Sequence, residues 1–311
     1  MYYNSIEDDI KGVFDMRVLQ LPCWEVKKII ENLDNIKDCG FDAIQIVSVN
    51  PCKEELGLFG HYQIYDLVIG NYLYTEDNLK ELCSKAHEKG LKVIVDSIFT
   101  HFANENKMNS LEPNENVNKR FTENPWFWRE KKQINYDDRI SVISHCNGLA
   151  AIRTENWDYQ DIAIDYIDHL TEDIGVDGLR LDSMKMIGLP EENGNMFLTR
   201  VFESIAKSDL IVYGEIIYEK KELLKKYQKY VNVLVNLSAD AYEIDRNKEF
   251  VFFESHDSYH EGSKIGWSYR LNDDQIIENY GYLCKDFPNT VFYLRNEDIL
   301  KRCKEIHKKY K

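Results

Sequence analysis

The residues able to do chemistry fall where short apolar runs end. Arg180 and Asp182 close the run Gly178-Leu179-Arg180-Leu181-Asp182. Two residues apart on a strand, they point to one side. Asp96 closes a second run, with His101 just beyond it. Glu215 closes a third, and His256 and Asp257 follow a fourth. A cation and a carboxylate sharing one strand face are costly to bury and belong more often to a site than to a core. Any one of these acids reads more simply as a solvated loop residue or a helix N-cap. Asp96, Asp182, Glu215 and Asp257 together, each closing a separate apolar run, do not. Acids gathered around one pocket repel one another. They need Arg180 or a metal to be tolerated, and at least one pKa is driven upward. One raised carboxylic acid beside one ionised carboxylate is the equipment of glycoside hydrolysis.

Alternating elements must position these residues. Strands are expected over 13–21, 41–49, 91–96, 178–182, 210–215, 231–237, 249–255 and 290–294. Helical patterns cover 24–39, 77–89, 156–174, 197–206, 220–229, 273–285 and 297–310. In the first, Val26, Ile29, Ile30, Leu33 and Ile36 recur at helical spacing and Gly40 stops it. Eight strands, each followed by a helix or by room for one, argue an α/β fold with a parallel sheet. Eight units in this length fit a closed (β/α)8 TIM barrel, ~250 residues plus insertions. An open doubly wound sheet is the competitor, but neither G-x-G-x-x-G nor a Walker sequence is present. The polar stretch 97–153, rich in Asn and Glu, is too long for an ordinary loop and reads as an inserted subdomain after the third strand. The barrel is then 1–96 and 154–311. In such a barrel the site lies at the carboxyl ends of the strands, where the charged residues fall.

The net charge of −15, from 54 acidic and 39 basic residues, disfavours nucleic acid and anionic membrane as partners. No basic region followed by an apolar run opens the chain, and no apolar stretch approaches membrane-spanning length. Seven cysteines form an odd set without Cys-x-x-Cys, which weakens a zinc or redox reading. A protein of a reducing compartment, the cytoplasm, is expected.

The quoted residues resemble the conserved blocks of the α-amylase superfamily of retaining glycosidases and transglycosidases. Val-Ile-Val-Asp96-Ser-Ile-Phe-Thr-His101 is similar to the first block, Gly178-Leu-Arg180-Leu-Asp182-Ser-Met-Lys185 to the second, Val-Tyr-Gly-Glu215 to the third, and Phe-Glu-Ser-His256-Asp257 to the fourth. Gly60-His61-Tyr62 through Asp66 resembles the segment that places a tyrosine under the sugar, and Asn124-Pro-Trp126-Phe-Trp128-Arg129 an aromatic stretch of the inserted domain. The likeness spans nearly the whole chain in order. It implies Asp182 as nucleophile, Glu215 as acid and base, and Asp257 as the group that holds sugar hydroxyls. It implies Arg180 as the partner orienting Asp182, and His101 and His256 as hydrogen-bond partners of the sugar. Tyr62 would stack on the sugar, Asp96 would be a carboxylate beside Arg180, and Lys185 would serve an acceptor subsite. The implied ligand is an α-linked oligosaccharide or glucoside, with no cofactor.

The sequence departs from the pattern in places. Met186 stands where many members have a histidine. Thr100 replaces an asparagine that is often a calcium ligand, and Leu149-Ala150-Ala151-Ile152-Arg153 lacks the acid of the usual closing segment. Losing an amide and a carboxylate removes hard oxygen ligands, so the family calcium site is expected to be lost. No C-terminal β-sandwich is expected, and a bare barrel flank would favour a homodimer. Three activities are compatible with the residues: hydrolysis, transfer or isomerisation with the same triad, and non-catalytic sugar binding on the same barrel. The last would be expected to have lost one of the three acids. Among the accessory residues, one tryptophan of the pair Trp126 and Trp128 is expected in the core of the insert. His61 reads equally as a satisfied loop histidine or a pocket residue, and Glu254 as a strand-end acid.

Overall fold

The computed structural model describes residues 15–207 and 209–310. Eight parallel strands close into a barrel: β1 (Met16–Gln20), β2 (Ala43–Ile46), β3 (Lys92–Ser97), β6 (Gly178–Leu181), β7 (Ile211–Glu215), β8 (Asn232–Asn236), β9 (Glu249–Phe252) and β10 (Asn289–Tyr293). β1 pairs with both β2 and β10, which closes the ring. Of the first expected strand, Val13 and Phe14 lie outside the described residues.

The strands are continuous apolar runs because both faces are covered. Val18, Ile94, Ile211, Tyr213, Leu234, Phe250 and Phe252 fill the barrel interior. Their neighbours Leu19, Val93, Val95, Val212, Val233 and Val251 face the surrounding helices. The strands are shorter than expected, since the flanking residues turn away into loops. The helices at Val26–Asp38, Glu76–Glu88, Trp157–Asp168, Lys221–Tyr227, Asp273–Asp286 and Leu300–Tyr310 lie where the periodicity puts them. One expectation fails locally. The helix expected over 197–206 is a wide π turn, Phe197–Val201, followed by a single turn, Phe202–Ser204. Left-handed Gly194 precedes it, the Asn195 side chain takes the Phe197 N–H at 2.9 Å, and extended Ile205 ends it. The polar segment between β8 and β9, where the sequence leaves room for a helix, holds two 3-10 turns.

Between β3 and β6 the chain forms a short antiparallel pair, β4 (His101–Phe102) with β5 (Ala150–Ala151). Around it, Phe102, Phe121 and Phe127 are buried; Trp128 packs edge-on against Phe102, and its indole N–H donates to the Phe121 carbonyl. Trp126 is exposed, so the tryptophan committed to the insert core is Trp128. All seven cysteines are free thiols, six of them buried. Among the described residues no helix is long and apolar enough to cross a membrane.

Candidate active site

The barrel register gathers the charges. Asp96 on β3 lies opposite Arg180 on β6, and Arg180 lies opposite Tyr213 on β7. Side chains alternate along a strand, so Glu215 faces inward with Tyr213. Arg180 is fully buried. Its Nη1 donates to Asp96 Oδ1 and to Asp182 Oδ1, both at 2.7 Å, and its Nη2 lies 2.6 Å from Glu215 Oε1. One guanidinium therefore joins three carboxyl groups from three strands. Such charge-assisted bonds are short and strong, and they let carboxyls share a buried site.

The turn after β6 completes the contact. Ser183 adopts a left-handed backbone (φ 50°) directly after Asp182, and its N–H donates to Glu215 Oε2 at 3.3 Å. The turn can lie this close because β7 carries Gly214. A Cβ there would stand 1.9 Å from the Met184 sulfur.

Asp182 and Glu215 share the cation yet differ in protonation. Burial alone raises both. At Asp182 the Arg180 charge, His101 and hydrogen bonds from Arg180 and Ser183 outweigh burial, and its pKa is held below the usual carboxylate value. At Glu215 burial dominates. Arg180 opposes it, but Asp182, Asp257 and Asp96 add repulsion, and the pKa is pushed up to about 8. At neutral pH the site holds an ionised carboxylate beside a carboxylic acid.

The remaining residues form the wall. Tyr62 ends the 3-10 segment Glu54–Tyr62, and its hydroxyl donates to Asp96 Oδ2 at 2.7 Å. Its ring lies parallel to His256, centroids 5.0 Å apart. His101 Nε2 donates to the Tyr62 carbonyl at 3.0 Å and lies 3.8 Å from Asp182 Oδ2, while its Nδ1 meets the Thr100 hydroxyl at 2.9 Å. Burial lowers the His101 pKa, so the ring is neutral. His256 Nδ1 accepts from the Gln20 amide at 2.9 Å, which leaves the proton on Nε2, 3.5 Å from Asp257 Oδ2. Asp257 sits in a short helical turn capped by Ser255. Its side chain is 30% exposed, against 9% for Asp182 and 10% for Glu215. Lys185 stands at the rim. Its ammonium donates to the Ile217 carbonyl at 3.3 Å and lies 5.1 Å from the Tyr136 ring.

The structure thus brings Tyr62, Asp96, His101, Arg180, Asp182, Glu215, His256 and Asp257 to one end of the barrel, with Lys185 at the edge. His61 is buried and satisfied: Nδ1 bonds the Ser48 carbonyl and Nε2 the Tyr72 hydroxyl, at 2.9 and 3.1 Å. Glu254 is not a loose strand-end acid. It is buried in a bidentate pair with Arg295, whose guanidinium also lies over Tyr259. Sequence reasoning passed over Arg295, and it missed Gln20, Gln45 and Ser183. Gln20 and Gln45 are polar residues at or near the ends of apolar strands, the signal that found the acids. Gln45 accepts from the Tyr213 hydroxyl at 2.8 Å.

Comparison with known proteins agrees. The family model of the α-amylase catalytic domain matches residues 24–250. An α-amylase of Butyrivibrio fibrisolvens is 26% identical, covering 91% of this chain and 35% of that protein. An α-amylase of Clostridium acetobutylicum is 26% identical over 78% of this chain and again 35% of its own length. The chain therefore spans about a third of the length of these relatives. Among solved structures, an Anoxybacillus α-amylase superposes with a TM-score of 0.74 at 18% identity, covering 96% of this chain and 80% of that one. The Geobacillus thermoleovorans α-amylase, solved with acarbose, does so with 0.74 at 19% identity, covering 96% and 78%. A match over most of the chain, on the barrel that carries the charged site, places this protein in the α-amylase catalytic-domain family.

Proposed function

We propose that the chain is a retaining α-glycosidase acting on α-glucosides or short α-glucans through a covalent glycosyl-enzyme intermediate. One observation carries this reading: Asp182 and Glu215 sit on the two terminal nitrogens of one guanidinium with opposite protonation. A double displacement needs its two carboxyls ~5 Å apart, one ionised to attack and one protonated to donate. Asp182 attacks the anomeric carbon while Glu215 gives its proton to the leaving oxygen. Glu215, now ionised, then takes a proton from the water that releases the sugar. Arg180 holds Asp182 in line and keeps it ionised. Asp257, the most open acid, takes sugar hydroxyls and favours the oxocarbenium-like state. His256 Nε2–H and His101 edge the same subsite, Tyr62 supplies its flat platform, and Asp96 fixes Arg180 and the Tyr62 hydroxyl. Lys185 borders the acceptor side. No step calls on a cofactor.

The test is to trap the intermediate. A 2-fluoro α-glucosyl donor should add one fluorosugar to the protein, on the peptide carrying Asp182, and Asp182→Asn should lose both labelling and turnover while keeping its fold. A label on another residue, or full turnover in the variant, would overturn the assignment. Product analysis on α-glucans with an added sugar acceptor separates hydrolysis from transfer.

A further inference from the structure

The segment 97–153 is joined to the barrel by a buried arginine. Arg129 is 3% exposed. Its Nε donates to the Ile152 carbonyl at 2.9 Å and its Nη2 to the Met186 carbonyl at 2.6 Å. Its Nη1 donates to the carbonyls of Val142 and His145, at 3.3 and 3.4 Å. Four carbonyl oxygens from three stretches of chain converge on one positive group, and among the described residues no carboxylate is in ion-pair contact with it. Neutral oxygen dipoles around an enclosed cation are the surroundings of a hard metal ion.

The residues present do not fit calcium at this place. The two departures that bear on calcium, Thr100 and Ala151, are bonded to the backbone of Arg129 and of its partner Ile152. Arg129 N–H donates to the Ala151 carbonyl and Ile152 N–H to the Thr100 carbonyl, both at 3.0 Å. Ala151 offers no side-chain oxygen, and the Thr100 hydroxyl is engaged with His101 Nδ1. A divalent ion brought to these oxygens would meet a fixed positive charge. Among the described residues no group of three or more His, Cys, Asp or Glu side chains is placed to hold a metal.

We propose that Arg129 is a built-in cation that does a metal's work, clamping the insert onto the turn that follows the Asp182 strand. That turn is held at three successive carbonyls. Arg139, also from the insert, donates to Lys185 O; Arg129 takes Met186 O; and the Tyr227 hydroxyl takes Ile187 O at 2.6 Å. Apolar packing follows the same path, with Val142, Cys146, Ala151 and Met186 in one buried cluster. The turn begins at Ser183, whose N–H faces Glu215, so the clamp at Met186 reaches the acid through the four residues 183–186. Arg129 is a positioning residue, and its work is electrostatic.

Thermal unfolding of the full chain tests this without reference to turnover, so its outcome is independent of the catalytic assignment. The wild-type Tm should be the same in EDTA and in millimolar calcium. Arg129→Met keeps the apolar stem and removes the charge. It should lower Tm by at least ~4 °C and speed hydrogen exchange at 142–146 and 184–188. Arg129→Lys, with a charge but no fork, should fall between. If Arg129→Met fails to fold, the lysine variant and the chelator arm still decide. A wild-type Tm that drops in EDTA or rises with calcium overturns the proposal. So does a methionine variant as stable as wild type, because packing alone would then suffice.

Discussion

Glu215→Gln should separate stability from activity, and it should do so with a defined pH dependence. The glutamine is nearly isosteric with the protonated acid, and its one carbonyl oxygen can still accept from Arg180 Nη2; its amide NH2 then faces Ser183 N–H, a pH-independent cost. It cannot ionise. The folded wild-type carboxyl has its pKa raised from the ordinary 4.5 to about 8, chiefly by burial. Between those values the folded protein holds a proton that the unfolded chain has released. Wild-type stability therefore falls, relative to the variant, by ~1.4 kcal/mol for each pH unit in that window. The full difference is on the order of 5 kcal/mol and is reached above pH 8. Asp182 acts with the opposite sign. Its depressed pKa contributes stability that is lost only as pH falls through the acid range, below ~3.9. It is constant between pH 5 and 9 and drops out of the comparison.

Urea unfolding of both proteins at half-unit steps from pH 5 to 9 would measure this. The variant should gain on the wild type steadily from pH 5 to pH 8 and hold that gain at pH 9. In parallel, wild-type kcat/KM should fall as pH rises through about 8, where the general acid is lost, and the variant should turn over α-glucosides poorly throughout. A stability difference that stays flat with pH would refute the raised Glu215 pKa. With it would go the assignment of Glu215 as the acid at neutral pH.

Gln20→Leu removes the donor to His256 Nδ1, so the proton is no longer held on Nε2 toward Asp257; KM for an α-glucoside should rise ~10-fold, the cost of one buried hydrogen bond, with little change in Tm. Glu249 opens β9, three strand residues before its carboxyl end, is fully buried and has both carboxylate oxygens without a hydrogen-bond partner among the described residues. Burial pushes its pKa up to about 8, so Glu249→Gln should stabilise the protein at pH 9 more than at pH 5 in the same urea series, with kcat/KM unchanged.

Much of this site was legible because a parallel barrel turns sequence position into spatial position. An acid that ends an apolar run ends a strand, and in a closed barrel strand ends share one rim. Asp96, Asp182 and Glu215 could be grouped on that ground before any coordinate was known. The supporting shell was less legible. Gln20, Gln45 and Tyr213 act through partners distant in sequence, and only the closed barrel brings those partners together. Glu254 reads as a mere strand-end acid until Arg295, 41 positions away, is seen against it. Within the insert, the pairing of β4 with β5 rests on two residues per strand, too short for any period to show. Helix 197–206 failed for a local reason, since Asn195 and Ile205 decide its ends and periodicity does not see them.

The two buried arginines show why burial alone does not define a role. Arg180 and Arg129 are similarly enclosed and both lie on the path from the insert to the acids. Arg180 is surrounded by three carboxyls, so its charge is spent on setting their protonation. Removing it would leave buried anions facing one another, and the site would respond by taking up protons. Arg129 is hydrogen-bonded only to carbonyl dipoles, which cannot titrate, and the Glu155 carboxylate acts on it from beyond ion-pair distance. Removing its charge leaves four carbonyls short of a donor, and the segment can answer only by moving or admitting water. The first loss should therefore read out as a shifted pH profile. The second should read out as loosened chain at 142–146 and 184–188, and the type of oxygen around each guanidinium decides which.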